Sequence, residues 1–153
     1  MKKAENPQDY SVLSELEKLA LPEGAYMVMG SGILDVLGIR RAHDVDLVVS
    51  DEVYAQLLEN GWSKKVSSDG HHGIEYGLIE AYSDWTDSDD SVKKLDELLV
   101  EAQWVNGVAY NSLAKLSLYK ARRGQAKDFA DLVLIHEYLA DQEASTTQNY
   151  LSK

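Results

Sequence analysis

Two aspartates separated by one residue carry the clearest chemical signal in this sequence. Asp44 and Asp46 begin the apolar stretch "VDLVVS", which is typical of a β-strand. Because strand side chains two residues apart point to the same face, both carboxylates could face one ligand. Mg²⁺ prefers such oxygen ligands and completes its coordination shell with water and substrate phosphate. The pair predicts a divalent-cation site; a turn cap beside a solvent-facing acid is the structural alternative.

A turn of small residues lies upstream of the aspartates. Gly30 and Ser31 follow the apolar run "AYMVM" and precede a short helical pattern. Such a turn leaves backbone N–H groups free to bind phosphate oxygens, and Ser31 adds a hydroxyl. It is not a dinucleotide fingerprint, because Asp35 stands where the third glycine is required. An aspartyl-phosphate phosphatase is disfavoured too, since the aspartates begin a second strand and no threonine follows.

The surrounding elements alternate between helices and strands. The pattern predicts a first helix capped by Asn6 with Pro7 in its first turn, a buried strand over residues 25–29, a short helix ending near Gly38, a strand beginning at the two aspartates, and a helix from Ser50 to Gly61.

Further elements are predicted in the second half of the chain. They are strands over residues 62–67 and 74–82 joined by the polar loop "SSDGHHG", a solvated acidic loop in "SDWTDSDDS", a helix around residues 92–99, a hairpin at Asn106 and Gly107, and two helices separated by Gly124. The fold class is therefore α/β or α+β, with a mixed sheet of about four to six strands flanked by helices and a C-terminal helical pair. We expect one domain over residues 1–140 and a polar, frayed tail over residues 141–153.

The amino-acid composition limits the binding partners and the catalytic residue types to be expected. The net charge of -11 and pI near 4.7 disfavour binding of nucleic acid over an extended basic surface. Four basic side chains nevertheless cluster in "YKARRGQAK" at residues 119–127. Without cysteine, chemistry must come from carboxylates, hydroxyls, Lys, Arg or His. No signal peptide and no apolar run of membrane-spanning length is evident, so a cytoplasmic location is expected.

The spacing of the turn and the aspartates resembles a known family. Gly30 and Ser31, twelve residues, then Asp44, Val45 and Asp46 are similar to the signature of the nucleotidyltransferase superfamily related to DNA polymerase β. The stretch "GLIEAYSDW" resembles the small bacterial members of the AbiEii type. This resemblance implies a nucleotidyltransferase fold with a third carboxylate, for which Glu80 is favoured over Glu75. His43 departs from the small or hydroxyl residue that often precedes the first aspartate.

The resemblance continues in "LAKLSLYKARRGQAKDFADLVLI", where it maps onto Lys120, Lys127, Asp128 and Asp131. Lys120 or Lys127 would supply positive charge to a triphosphate. Helix capping and surface pairing are the alternative for this group. The basic turn of Arg40 and Arg41 could likewise neutralise phosphate, or simply be exposed.

The family implies an enzyme that moves a nucleoside monophosphate from a triphosphate to an acceptor hydroxyl and releases pyrophosphate. In this sequence the catalytic and metal-binding residues would be Asp44, Asp46 and Glu80, with Mg²⁺ or Mn²⁺. Nucleotide binding would fall to Gly30, Ser31, Lys120 and Lys127. The acceptor could be tRNA, a protein or a small molecule such as an antibiotic. A non-catalytic nucleotide- or partner-binding module, for example a toxin–antitoxin component, is the alternative.

Overall fold

The computed structural model describes residues 11–151, with side chains described through residue 147. Asn6 and Pro7 lie outside the described residues. The helices are α1 (Val12–Lys18), α2 (Gly32–Val36), α3 (Asp51–Glu59), α4 (Leu95–Leu99), α5 (Leu113–Arg123) and α6 (Ala126–Leu151). The strands are β1 (Tyr26–Met29), β2 (Val45–Val49), β3 (Ser63–Val66), β4 (His72–Tyr76), β5 (Ile79–Tyr82), β6 (Trp85–Thr86), β7 (Val92–Lys93), β8 (Gln103–Val105) and β9 (Val108–Tyr110).

The described chain divides into two compact units, one ending at Ser112 and the other beginning at Leu113. A mixed α/β architecture is confirmed for the first unit, and a helical pair forms the second. The single domain over residues 1–140 stays a prediction. No helix in the described part of the chain is both long and apolar enough to cross a membrane.

A seven-stranded mixed sheet forms the first unit, in the order β3-β4-β5-β2-β1-β9-β8. The β2–β5 and β1–β9 pairs are parallel and the remaining neighbours antiparallel. The two central strands β1 and β2 are almost fully buried, which explains their near-continuous apolar sequences. The sheet has more strands than the four to six predicted, partly because one predicted strand is a hairpin.

That hairpin occupies the stretch predicted as one strand over residues 74–82. β4 and β5 pair antiparallel with Tyr76 opposite Ile79, so Gly77 and Leu78 form a two-residue turn. Gly77 has φ of 62°, a left-handed conformation that a glycine adopts at little cost at the first position of such turns. The prediction of a single strand was wrong because the apolar run continues on both sides of this glycine. The turn places Glu75 directly opposite Glu80.

Three further boundaries differ from the sequence predictions. The acidic stretch predicted as a loop contains β6, which pairs antiparallel with β7 at the start of the segment predicted as a helix around residues 92–99; an ion pair of 2.7 Å joins Lys93 to Asp87, and helix α4 begins at Leu95. Helix α1 begins after Ser11, whose hydroxyl accepts a hydrogen bond from the backbone N–H of Leu13. Helix α6 continues to Leu151 and does not fray at residue 141, since a polar segment lacking Pro and Gly is compatible with a solvated helix.

Candidate active site

A row of acidic side chains crosses three adjacent strands on one face of the sheet. Asp46 on β2 is paired in register with Glu80 on β5, and Glu80 with Glu75 on β4. Residues directly opposite each other in neighbouring strands share a face and lie close together. The register therefore brings Asp46 and Glu80 side by side and leaves Glu75 one strand further away. Of the two candidates for a third carboxylate, Glu80 is the nearer to the aspartate pair.

Gly30 lies against the carboxylate of Asp46. Met29, the last residue of β1, is paired with Asp46, and Gly30 follows with φ of 62°. A Cβ atom added to Gly30 would lie 3.4 Å from Asp46 Oδ2. Because glycine has no side chain, the backbone of the turn lies close to this carboxylate. At the next residue, the guanidinium of Arg40 donates a hydrogen bond of 3.2 Å to Ser31 Oγ. The turn of Gly30 and Ser31 thus lies beside Asp46, and the guanidinium of Arg40 lies next to the turn.

Asp44 lies in the bend before β2 and not on the strand, so the prediction that both aspartates occupy strand positions was wrong for Asp44. Its side chain is exposed, yet it is close enough for its charge to raise the pKa of Asp46. The loop before it is anchored by Asp35, which accepts hydrogen bonds from the backbone N–H of Ala42 and from the hydroxyl of Ser11. Asp35 therefore positions the loop that carries Asp44.

Both oxygens of the Glu80 carboxylate have close partners. The ammonium of Lys65, on the edge strand β3, lies 2.6 Å from Glu80 Oε2 and 3.8 Å from Glu75 Oε1. The hydroxyl of Tyr82 donates a hydrogen bond of 2.6 Å to Glu80 Oε1. These charge-assisted contacts give Glu80 a defined orientation beside Asp46.

The neighbouring carboxyls Asp46 and Glu80 differ in acidity. Burial, with the charges of Glu80 and Asp44, raises the pKa of Asp46 to about 7. Burial also raises the pKa of Glu80, but hydrogen bonds from Lys65 and Tyr82 outweigh it and bring the pKa below its usual value. The two carboxyls are joined by a hydrogen bond. Below about pH 7, Asp46 therefore carries the proton and Glu80 the charge when no other cation balances the pair.

The ring of Tyr82 is fixed by its surroundings. Its centroid lies 4.9 Å from that of His71 and 5.8 Å from that of Trp85. His71, predicted to be solvated in a loop, pairs with Asp84 at 2.6 Å between Nε2 and Oδ1. On β4, Gly73 leaves room for the ring: a Cβ atom there would lie 2.5 Å from Tyr82 Cε1 and 2.9 Å from the carbonyl oxygen of Ala81.

We expect Gly73→Ala to lower the free energy of unfolding by about 1–3 kcal/mol, because a methyl group cannot fit between the ring and the backbone of β5. Urea unfolding measures the change. Tyr82→Phe is the matched control: it keeps the ring, loses only the hydrogen bond to Glu80, and should cost about 1 kcal/mol. A Gly73→Ala protein as stable as the wild type would contradict this packing.

Among the described residues, no group of three or more His, Asp or Glu side chains is arranged to hold a metal ion. The donor set nonetheless fits a divalent cation of the Mg²⁺ type, which binds proteins through one or two carboxylates together with water and phosphate. Asp46 and Asp44 are the residues available for that role. Burial raises the pKa of Asp46, and the charges of Glu80 and Asp44 raise it further; a bound cation would offset the repulsion from these two carboxylates.

Lys65, Tyr82 and Asn111 were not among the site residues predicted from the sequence. Lys65 carries no local motif, and only the register of β3, β4 and β5 brings it to Glu80. Tyr82 lies two residues after Glu80 on β5, so strand alternation places both side chains on one face. Asn111 directly follows β9, its backbone N–H donates to the carbonyl of Val28 at 2.9 Å, and it is 8% exposed. Its side-chain oxygen is buried and has no hydrogen-bond partner within the described part of the chain. A single asparagine at a strand end carries no signal that would have singled it out.

The lysines predicted to bind nucleotide lie in the second unit. Lys120 is 3% exposed, and its ammonium lies 2.8 Å from Asp131 Oδ2 and 3.6 Å from Asp128 Oδ1. Lys127 is exposed in the first turn of α6. The two acidic partners of Lys120 thus lie in the same unit as the lysine, and the lysine forms ion pairs with them. Binding of nucleotide by either lysine stays a prediction.

Comparisons with known proteins do not assign this chain to a family: no family model, curated protein or solved structure matches it.

Proposed function

We propose that the protein is a metal-dependent nucleotidyltransferase, which moves a nucleoside monophosphate from a nucleoside triphosphate to an acceptor hydroxyl. The proposal includes the nucleotidyltransferase fold that the sequence pattern resembles. The observation that carries it is the meeting of Gly30, Asp46 and Glu80, three residues far apart in sequence, at one place on the sheet. Their types are those that phosphate and cation binding require.

In this proposal, different residues of the first unit bind the cation and the phosphates. Asp46 and Asp44 would hold the cation against the triphosphate. Gly30 lets the phosphates approach the backbone, and Ser31 with the nearby guanidinium of Arg40 supplies donors for their oxygens.

In the transfer, the acceptor oxygen forms a bond to the α phosphorus and the bond from that phosphorus to the bridging oxygen breaks. Pyrophosphate leaves with the electron pair. When bound, the divalent cation supplies charge neutralisation for the phosphates. Glu80, kept ionised and oriented by Lys65 and Tyr82, accepts a hydrogen bond from the acceptor hydroxyl and receives its proton.

The acceptor is proposed only as a class. An acidic chain with a carboxylate cluster favours a cationic small molecule over a nucleic acid, because phosphate contacts require clustered Lys and Arg. A tRNA, a protein or a toxin–antitoxin partner would be the other outcomes of an acceptor screen. Incubation with labelled triphosphates, total tRNA and a panel of aminoglycoside and lincosamide antibiotics distinguishes them.

Calorimetric titration with a nucleoside triphosphate tests the proposal, with and without Mg²⁺. We expect binding that requires the metal, and loss of that binding in the Asp44→Asn, Asp46→Asn double variant. Transfer of label to an acceptor should fall by about a hundredfold or more in the same variant.

The matched control is Glu52→Gln, which removes one exposed carboxylate from α3 and should leave binding and transfer unchanged. Metal-independent binding, or transfer that survives the double change, would contradict the proposed roles. Metal-dependent binding without transfer to any acceptor would favour the non-catalytic nucleotide-binding module.

A further inference from the structure

Lys65 contacts the carboxylate of Glu80, the residue predicted to complete a second metal site. Its ammonium bridges Glu80 and Glu75, at 2.6 Å and 3.8 Å, while Tyr82 takes the other oxygen of Glu80. The Lys65 side chain is only 20% exposed, so most of it packs against its neighbours while the ammonium contacts the two carboxylates. Both carboxylate oxygens of Glu80 therefore already have a protein partner, Lys65 at Oε2 and Tyr82 at Oε1.

A second divalent cation on Glu80 would conflict with this arrangement. Mg²⁺ binds carboxylate oxygen at about 2.0–2.1 Å, so an ion on Glu80 Oε2 could lie at most about 5 Å from the Lys65 ammonium. Like charges at that distance in a partly buried site repel strongly. Binding such an ion would require the ammonium to leave Glu80, or the Tyr82 hydroxyl to give up its hydrogen bond.

We propose that Lys65 is a positioning residue that takes the place of a second metal ion, so that the site binds one divalent cation, on Asp44 and Asp46. This inference rests on the proposed function. Lys65 fixes the direction of Glu80 by a direct ion pair, which leaves the carboxylate facing the acceptor and not ligating metal.

Counting the cations tests the inference. Crystals of the full chain grown with Mn²⁺ and a nucleoside triphosphate carrying a methylene bridge between the α and β phosphorus should show one manganese anomalous peak per chain beside Asp44 and Asp46. Two peaks in the wild type, one of them on Glu80, would overturn the inference and leave the proposed function intact. No peak at the aspartates would instead overturn the proposed function.

Variants of Lys65 separate its charge from its bulk. Lys65→Met should admit a second manganese at Glu80 and tighten Mn²⁺ binding by about tenfold in calorimetry, because one positive charge is gone. Lys65→Arg keeps the charge and should retain a single ion. Lys64→Met is the matched control: this adjacent lysine on β3 is exposed, and strand alternation directs it to the opposite face.

A Lys65→Met protein that still binds one manganese with unchanged affinity would overturn the role of Lys65. Circular dichroism melts establish that each variant is folded. If Lys65→Met does not fold, the peak count in the wild type decides the inference alone.

Discussion

In metal-free buffer, Asp46→Asn should raise the thermal midpoint by about 5–10 °C at pH 8 and by about a third as much at pH 5. The reason is the cost of ionising Asp46 in the folded protein. Its carboxyl is desolvated by burial and faces the charges of Glu80 and Asp44, which raise its pKa to about 7. Asparagine has the same shape, cannot ionise, and can donate a hydrogen bond to Glu80.

The direction of the pH dependence follows from proton binding. Below about pH 4 the carboxyl is protonated in both the folded and the unfolded chain. Between pH 4 and 7 the folded chain keeps a proton that the unfolded chain releases, so the free energy of unfolding of the wild type falls as pH rises. Above pH 7 the loss is complete and amounts to a few kcal/mol. The advantage of Asp46→Asn grows over this window.

Thermal melts at pH 5, 6, 7 and 8 in EDTA measure the effect. Asp44→Asn is the matched control: Asp44 is exposed and contributes less than burial and Glu80 to the pKa of Asp46, so its change should stabilise less. Adding Mg²⁺ should stabilise the wild type and shrink its difference from Asp46→Asn. An equal shift at pH 5 and pH 8 would show that the charge of Asp46 is not the cause.

Features governed by neighbouring residues were predictable from the sequence. Ser50 caps α3 as predicted, its hydroxyl accepting a hydrogen bond of 3.2 Å from the backbone N–H of Val53. Asn106 and Gly107 both have positive φ, at 52° and 81°, and join β8 to β9 in the predicted hairpin. In each case the residue type and its immediate neighbours determine the conformation.

Features governed by strand register were not predictable. The contact between Lys65 and Glu80 depends on the pairing of β3 with β4 and of β4 with β5. A shift of one residue in either pairing would turn the side chains to opposite faces. Sequence patterns show which residues alternate along a strand, but not which residue of the next strand lies opposite. Glu80 could therefore be chosen as a candidate without its ion-pair partner Lys65.

The burial of charged residues in the C-terminal motif was not predictable from the sequence either. Lys120, Asp128 and Asp131 were compatible with phosphate binding or with helix capping and surface pairing. In the structure all three are buried. Asp128 at the third position of α6 accepts a hydrogen bond of 3.0 Å from the backbone N–H of Gln125, so the capping part of that alternative is confirmed. The ion pairs are interior and not on the surface, which the spacing of the residues could not show.

Asp128→Ala should lower the free energy of unfolding by about 2–3 kcal/mol, because it removes a buried carboxylate that pairs with Arg123 and leaves the Lys120 ammonium with Asp131 alone. Asp128 is 0% exposed and accepts two hydrogen bonds from Arg123, at 2.6 and 2.8 Å, and it lies 3.6 Å from the Lys120 ammonium. Hydrogen bonds from Arg123 lower the pKa of Asp128 to about 2, so this stabilisation is complete above pH 4 and is lost as pH falls through 2.

Urea unfolding at pH 7 measures the loss. Asp128→Asn, which keeps the shape and the capping acceptor, should lose less than the alanine variant and secures the test if that variant does not fold. Asp141→Ala, an exposed aspartate further along α6, is the matched control and should change stability by less than about 0.5 kcal/mol. An Asp128→Ala protein no less stable than Asp141→Ala would mean that the buried ion pairs contribute no net stability. Lys120 would then need another reason for its burial, and phosphate binding would be the first to test.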